Sequence, residues 1–171
     1  MLLLAQFKLP AGPLIAVLEG IEKPGNLGAM LRSADAAGVS AVILADPLTD
    51  LYNPNVIRAS LGTVFRVPVA EASSAETLAW LQSRGVSIFA AMPSATGLHW
   101  EQYFTGATAL VLGAEAPGLS QVWLDANINA VALPMLGAAD SLNVSAAAAV
   151  LFYEALRQRQ TQAGSARTSD G

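Results

Sequence analysis

The chain has 171 residues, 53% of them hydrophobic and 13% charged, with a formal net charge of −4. It has no cysteine, which excludes disulfides and thiolate metal sites, and its single histidine, His99, leaves no metal to be expected. The acidic balance argues against a protein that holds nucleic acid by charge alone.

The opening "MLLLAQF" is too short for a signal-peptide core and has no basic stretch before it. No apolar run is long enough to cross a bilayer, so a cytoplasmic protein with no membrane partner is expected. "LIAVLE" (Leu14–Glu19) reads as a buried strand, followed by the loop "GIEKPGN". "NLGAMLRSADAAG" reads as a helix, with Asn26 near its N-cap and Gly38 closing it. "AVILA" (Ala41–Ala45) is a second strand, "DPLTDLYNPN" a loop and "VIRAS" a helical turn. "FRVPVA" is a short strand in which Pro68 points to an edge or irregular position. "SAETLAWLQSRG" is a helix, with Ser73 and Glu76 at capping-box spacing. "VSIFAAM" (Val86–Met92), "ATALVLG" (Ala107–Gly113) and "INAVALP" (Ile128–Pro134) are further strands, and "SQVWLDAN" is a short helix between the last two. The final helix runs from Asn143 to about Gln160, with Val144, Ala148, Leu151 and Ala155 on one face. Residues 1–160 are therefore expected to form one domain, and 161–171 ("TQAGSARTSDG") a disordered polar tail.

Apolar strands alternating with helices mean a parallel sheet covered on both faces. Such sheets bind ligands beyond the carboxyl ends of their strands. The loops there are "GIEKPGN", "MPSATG", "GAEAPGLS" and "PMLGAADSLN". None carries the Gly-x-Gly-x-x-Gly fingerprint, a P-loop or a Gly-x-Ser-x-Gly nucleophile turn. What remains are three polar clusters at strand ends: Asn26 with Arg32, Glu115, and Ser141 with Asn143. Singly, each has a plain structural role open to it: Asn26 or Ser141 as a helix cap, Arg32 paired with Glu22, Asp35 or another surface acid, Glu115 bonding backbone amides of its loop. Arg32, Arg58 and Arg66 fall within 35 residues, either as a local basic patch or as three solvated side chains. Asn-Val-Ser at 143–145 matches a glycosylation sequon by chance, since no export signal accompanies it.

"EKPGNLGAMLRSADAAGV", "LVLGAEAPGLS" and "LPMLGAADSLNVSAAAAVLFYE" resemble, in order, the three motifs of the SpoU/TrmH-type RNA ribose methyltransferases of the SPOUT superfamily. "NPNVIRASLGTVFRVPV" resembles the segment that family carries between its first and second motifs. The resemblance covers roughly Leu14 to Arg157. It implies an α/β fold, a parallel-sheet Rossmann-like domain whose C-terminal part forms a deep trefoil knot, with the motif-two and motif-three loops making one pocket. It implies bent S-adenosylmethionine as cofactor and a homodimer, which agrees with the apolar composition. The implied reaction is methyl transfer to a ribose 2′-hydroxyl of RNA, ribosomal rather than transfer RNA. A transfer-RNA enzyme, or a non-catalytic cofactor- or RNA-binding protein with the same fold, are the alternatives.

The same resemblance assigns catalytic roles to Asn26, Arg32, Glu115, Ser141 and Asn143, and cofactor contacts to Gly113, Leu133, Met135 and Leu142. Arg32 and Arg58 would meet the RNA, and no metal is implied. A guanidinium keeps its proton near neutral pH, so Arg32 is expected to bind phosphate and orient the hydroxyl, with no histidine or lysine of the motifs serving as base. Asn26 would hold Arg32 or the ribose, and Glu115 would fix its loop and orient Arg32. Ser141 and Asn143 would point toward the ribose and the reacting methyl. Pro117 departs from the glycine-rich or polar residues of many relatives and should stiffen its loop without displacing Glu115.

Overall fold

A computed structural model describes the backbone of residues 1–168 and the side chains of residues 1–163. Six strands, β1 (Leu14–Glu19), β2 (Ala41–Ala45), β3 (Val69–Ala72), β4 (Ser87–Ala91), β5 (Thr108–Gly113) and β6 (Asn129–Val131), form one sheet in the order β3-β2-β1-β5-β4-β6. Every pairing is parallel. Among the described residues, five α-helices accompany them: α1 (Pro24–Ala36), α2 (Pro54–Ser60), α3 (Ser74–Ser83), α4 (Gln121–Asp125) and α5 (Val144–Thr168).

The central strands are buried on both faces because their side chains alternate between two cores. Leu14, Ala16 and Leu18 of β1 pack with Leu27, Met30 and Leu31 of α1 and Leu151 and Phe152 of α5. Ile15 and Val17 face the other way, with Leu81 of α3 and Trp123 of α4. A Cβ on Gly28 would stand 2.5 Å from that of Ala59 and 2.8 Å from the Val56 carbonyl oxygen, so glycine lets α2 lie directly on α1.

The six expected strands are all present. β3 begins at Val69 rather than Phe65, because Thr63–Phe65 is a 3-10 turn and Phe65 is exposed, stacked on Tyr52 at 6.2 Å. β3 is an edge strand, and Pro68, expected at an edge or irregular position, lies just before it, its carbonyl accepting from the amide of Val42 at 2.9 Å. The turn expected at "VIRAS" is a full helix, α2, started by Asn53, whose side chain accepts from the amide of Asn55 at 2.9 Å. α5 runs on to Thr168, past the expected end at Gln160, so the backbone of 161–168 is helical. That stretch contains no proline to end it. The rest of the expected tail, 169–171, lies outside the described residues.

α5 spans the sheet from one end to the other. Toward its far end, Gln158 accepts from the amide of Phe104 at 2.7 Å and donates to the carbonyl of Gln102 at 2.9 Å. Arg159 donates to the carbonyls of Gly12 (2.7 Å), Phe104 (2.8 Å) and Gly106 (2.5 Å). These carbonyls sit just before β1 and β5, so the amino ends of the central strands hold one end of α5. Its first residues thereby stand over their carboxyl ends. Among the described residues, no helix is long and apolar enough to cross a membrane.

Candidate functional site

The carboxyl ends of β4, β5 and β6 open into a cleft walled by the 114–119 loop after β5 and the 132–143 segment between β6 and α5. Met92, Leu112, Gly113, Leu119, Leu133, Met135 and Leu142 line it, with Glu115, Asp140 and Ser141 as its polar residues. Its mostly apolar wall with a few polar groups has the character of a small-molecule site. All four residues expected to contact a cofactor, Gly113, Leu133, Met135 and Leu142, lie on this wall. Glycine at 113 is required by a close approach. A Cβ there would meet backbone atoms of Gly118 and Leu119 at 2.7 Å, because the loop folds back over the strand end.

A second recess adjoins the first through Ala114, Glu115 and Val144, and adds Glu22, Lys23 and Asn26. Asn143 joins the two. Its Oδ1 accepts from the Ser145 amide at 3.0 Å, so Asn143, not Ser141, caps α5. Its Nδ2 donates to Asn26 Oδ1 at 3.2 Å and to Glu115 Oε1 at 2.5 Å. Glu115 Oε2 accepts from Lys23 Nζ at 2.8 Å. One amide side chain thus satisfies a helix start and bridges three segments that are far apart in sequence.

The hydrogen bond and charge of Lys23, aided by the bonds from Asn143 and the Val144 amide, hold the Glu115 carboxyl below the usual carboxylate range against a smaller opposing effect of burial. Glu115 in turn raises the Lys23 ammonium. A depressed carboxyl stabilises the fold above its unfolded pKa, and that contribution is lost as pH falls through the folded value. A raised ammonium contributes fully below the ordinary lysine value and loses its share as pH climbs past it. The bridge should therefore persist across neutral pH and open in acid. The side-chain amide resonances of Asn143 should hold constant down to about pH 5 and move only below it. Movement centred near neutrality would contradict this assignment.

Two expected contacts are not made. Asn26 is not the cap of α1, because Pro24 starts that helix and Lys23 occupies the cap position. Arg32 touches neither Asn26 nor Glu115. Six residues along a helix are about 9 Å and about 240° of rotation, so the two side chains leave α1 in different directions. Asn26 Oδ1 is occupied by Asn143, and Glu115 by Lys23 and Asn143. Arg32 is exposed, lines neither recess, and among the described residues has no hydrogen-bond or ion-pair partner, neither Glu22 nor Asp35 included. Arg58 is exposed on α2 and donates to Asn55 Oδ1 at 3.1 Å. Ser141 stands at the lip of the apolar cleft, exposed.

Lys23 is the site residue that sequence reasoning missed. It lay within a quoted motif, and its only signal was a cation immediately before a helix-starting proline. Among the described residues no three His, Asp or Glu side chains gather as a metal site would need.

A model described as the SpoU rRNA Methylase family matches residues 13–153. Over 151 residues the chain is 40% identical to the 23S rRNA (guanosine-2'-O-)-methyltransferase RlmB of Pseudomonas putida, covering 88% of this chain and 61% of that protein. A crystal structure of an RNA 2'-O ribose methyltransferase matches with a TM-score of 0.85 at 48% identity, over 92% of this chain and 60% of that one. The SpoU methyltransferase AviRb of Streptomyces viridochromogenes, solved in complex with AdoMet, matches with a TM-score of 0.85 at 32% identity, over 91% of this chain and 61% of that one. The chain spans about three fifths of the length of the curated relatives it matches.

Proposed function

The chain belongs to the SpoU rRNA methylase family, and from that premise we propose that it transfers a methyl group from S-adenosylmethionine to a ribose 2′-hydroxyl of RNA, with ribosomal RNA as substrate. The observation that carries this reading is the meeting of Asn26, Glu115 and Asn143 at the edge of an apolar cleft. The naming of curated relatives as 23S rRNA methyltransferases supports the choice of RNA.

The apolar cleft suits the cofactor on its own chemistry. Its apolar wall of Leu133, Met135 and Leu142 fits a flat adenine, and Gly113 keeps a close-folded backbone there. Glu115 and Asp140 supply negative charge beside a cationic group. Bound there, S-adenosylmethionine supplies a methyl already activated on a sulfonium. The protein's part is to hold the hydroxyl in line and order its surroundings. In this reading Asn143 and Asn26 orient the ribose, Ser141 meets it from the lip, and Glu115 fixes the bridge. Arg32 keeps its proton; it binds the RNA phosphate and orients the reacting hydroxyl, and Arg58 extends the contact along the RNA.

Residues 1–160 act as the catalytic unit. The reading includes a C-terminal trefoil knot. Its support is the path of the chain, which leaves edge strand β6, passes the carboxyl ends of β4 and β5, and returns as α5 against α1 and β5. It also includes a homodimer in the cytoplasm, supported by the 53% hydrophobic content and by exposed Val150 and Tyr153 on α5. The test is methyl transfer from labelled S-adenosylmethionine to ribosomal RNA that lacks the modification. Incorporation unaffected by a chelator is the expected outcome, and none above heat-treated protein would contradict the reading.

A further inference from the structure

Glu19 closes β1 as the one acidic residue in an otherwise apolar strand, and it is only 5% exposed. Four donors converge on its carboxyl group. Ser74 Oγ at the start of α3 donates to Oε1 in a short bond. Ser120 donates from its amide (2.8 Å) and its hydroxyl (2.6 Å), and the Trp123 indole of α4 donates at 2.9 Å. None of these residues belongs to the Asn26–Glu115–Asn143 bridge. They do determine where the 114–119 loop ends.

That loop has two anchors. At its start, Gly113 pairs in register with Glu19 itself across the β1–β5 ladder. At its end the chain enters α4 at Ser120, whose side chain caps nothing in its own helix. Its hydroxyl goes to Glu19 instead. A single buried carboxyl group therefore lies beside one end of the loop and grips the other. Between these anchors, Ala114, Glu115, Gly118 and Leu119 form one wall of the apolar cleft.

α3 needs Glu19 far less. Ser73 and Glu76 form a capping box there, and Asp46 Oδ2 accepts from the Ser74 amide at 2.9 Å. The demand on Glu19 is thus unequal, essential on the loop side and redundant on the α3 side.

We propose that Glu19 is a positioning residue that holds the 114–119 loop folded over Gly113 and so sets the affinity of the apolar cleft for S-adenosylmethionine. This rests on the function proposed above. Glu19 touches neither reacting group. Its loss should raise the KM for the cofactor and leave kcat at saturation nearly intact.

The test compares three variants of the full chain by calorimetric titration with S-adenosylhomocysteine and by methyl-transfer kinetics. Glu19→Gln places an amide donor against converging donors and should weaken binding most. Ser120→Ala and Ser74→Ala each remove one hydroxyl from the same carboxyl group, and both leave the backbone anchors in place. Ser120→Ala should weaken cofactor binding roughly tenfold, the scale of losing one hydrogen bond to a charged group, with kcat preserved. Ser74→Ala should stay within about twofold, the scale of an uncoupled site, even where its melting temperature falls as far. Equal losses in the two serine variants would reduce Glu19 to a general support of the core and overturn the proposal. So would unchanged affinity in Ser120→Ala with a binding wild type. Failure of the wild type itself to bind would instead count against the proposed function.

Discussion

Arg32→Ala should lower methyl transfer by about 10²–10³-fold, the usual cost of removing a positioned charge from a transition state, and leave affinity for S-adenosylhomocysteine within a few-fold. The separation follows from placement. Arg32 projects from α1, exposed and outside the linings of both recesses, so the cofactor cleft loses nothing when it is shortened. Because no partner among the described residues holds it, its removal leaves no buried charge unpaired there and should cost little stability. Arg32→Lys reports the kind of contact. A fork that grips phosphate and hydroxyl together is not replaced by a point charge, so lysine should restore little activity. Activity at the wild-type level in Arg32→Ala would remove the residue from the mechanism. Loss of cofactor binding in step with activity would show that α1 and the cleft are not separate parts.

Gly113→Val should have the opposite signature, with cofactor affinity falling first. The new Cβ would press on backbone atoms of Gly118 and Leu119 at 2.7 Å, and backbone cannot swing aside as a side-chain tip can. Nor can residue 113 retreat, since it is paired with Glu19 in the parallel ladder. The 114–119 loop must therefore move out, taking Leu119 and Glu115 from the cleft wall. Overpacking of about 1–3 kcal/mol, spent on displacing that wall, corresponds to about 5–160-fold in affinity. A titration with S-adenosylhomocysteine measures it directly, with circular dichroism confirming the fold. Wild-type affinity would mean that the loop does not form the cofactor wall.

The fold was readable where one residue's environment follows from its neighbours in sequence. "AVILA" and "LIAVLE" are buried on both sides, and their continuous apolar runs say so. The capping box at Ser73 and Glu76 needs only four residues to be recognised. In the candidate site, Asn26, Glu115 and Asn143 stood out by residue type, but their partners did not. Lys23 and Glu115 are 92 positions apart and Asn26 and Asn143 are 117 apart. No local pattern encodes such pairings. Asn26 passed for a cap because polar residues favour helix starts, yet Pro24 had already fixed the start at Lys23. Glu19 was hidden by the strand it ends, since a carboxyl group after five apolar residues reads as the first residue back in water. Phe65 misled in the opposite sense, an aromatic that periodicity assigns to a strand and that the chain leaves exposed against Tyr52.

The most direct test of the central claim is the chemical position of the transferred methyl. Protein, S-adenosylmethionine carrying a labelled methyl group, and ribosomal RNA lacking the modification are incubated together. The RNA is then digested to nucleosides and analysed by mass spectrometry. The account predicts a labelled nucleoside whose added mass stays with the ribose fragment, absent from the Arg32→Ala reaction. Label found on a base, or no labelled nucleoside while S-adenosylhomocysteine binds the protein, would contradict it.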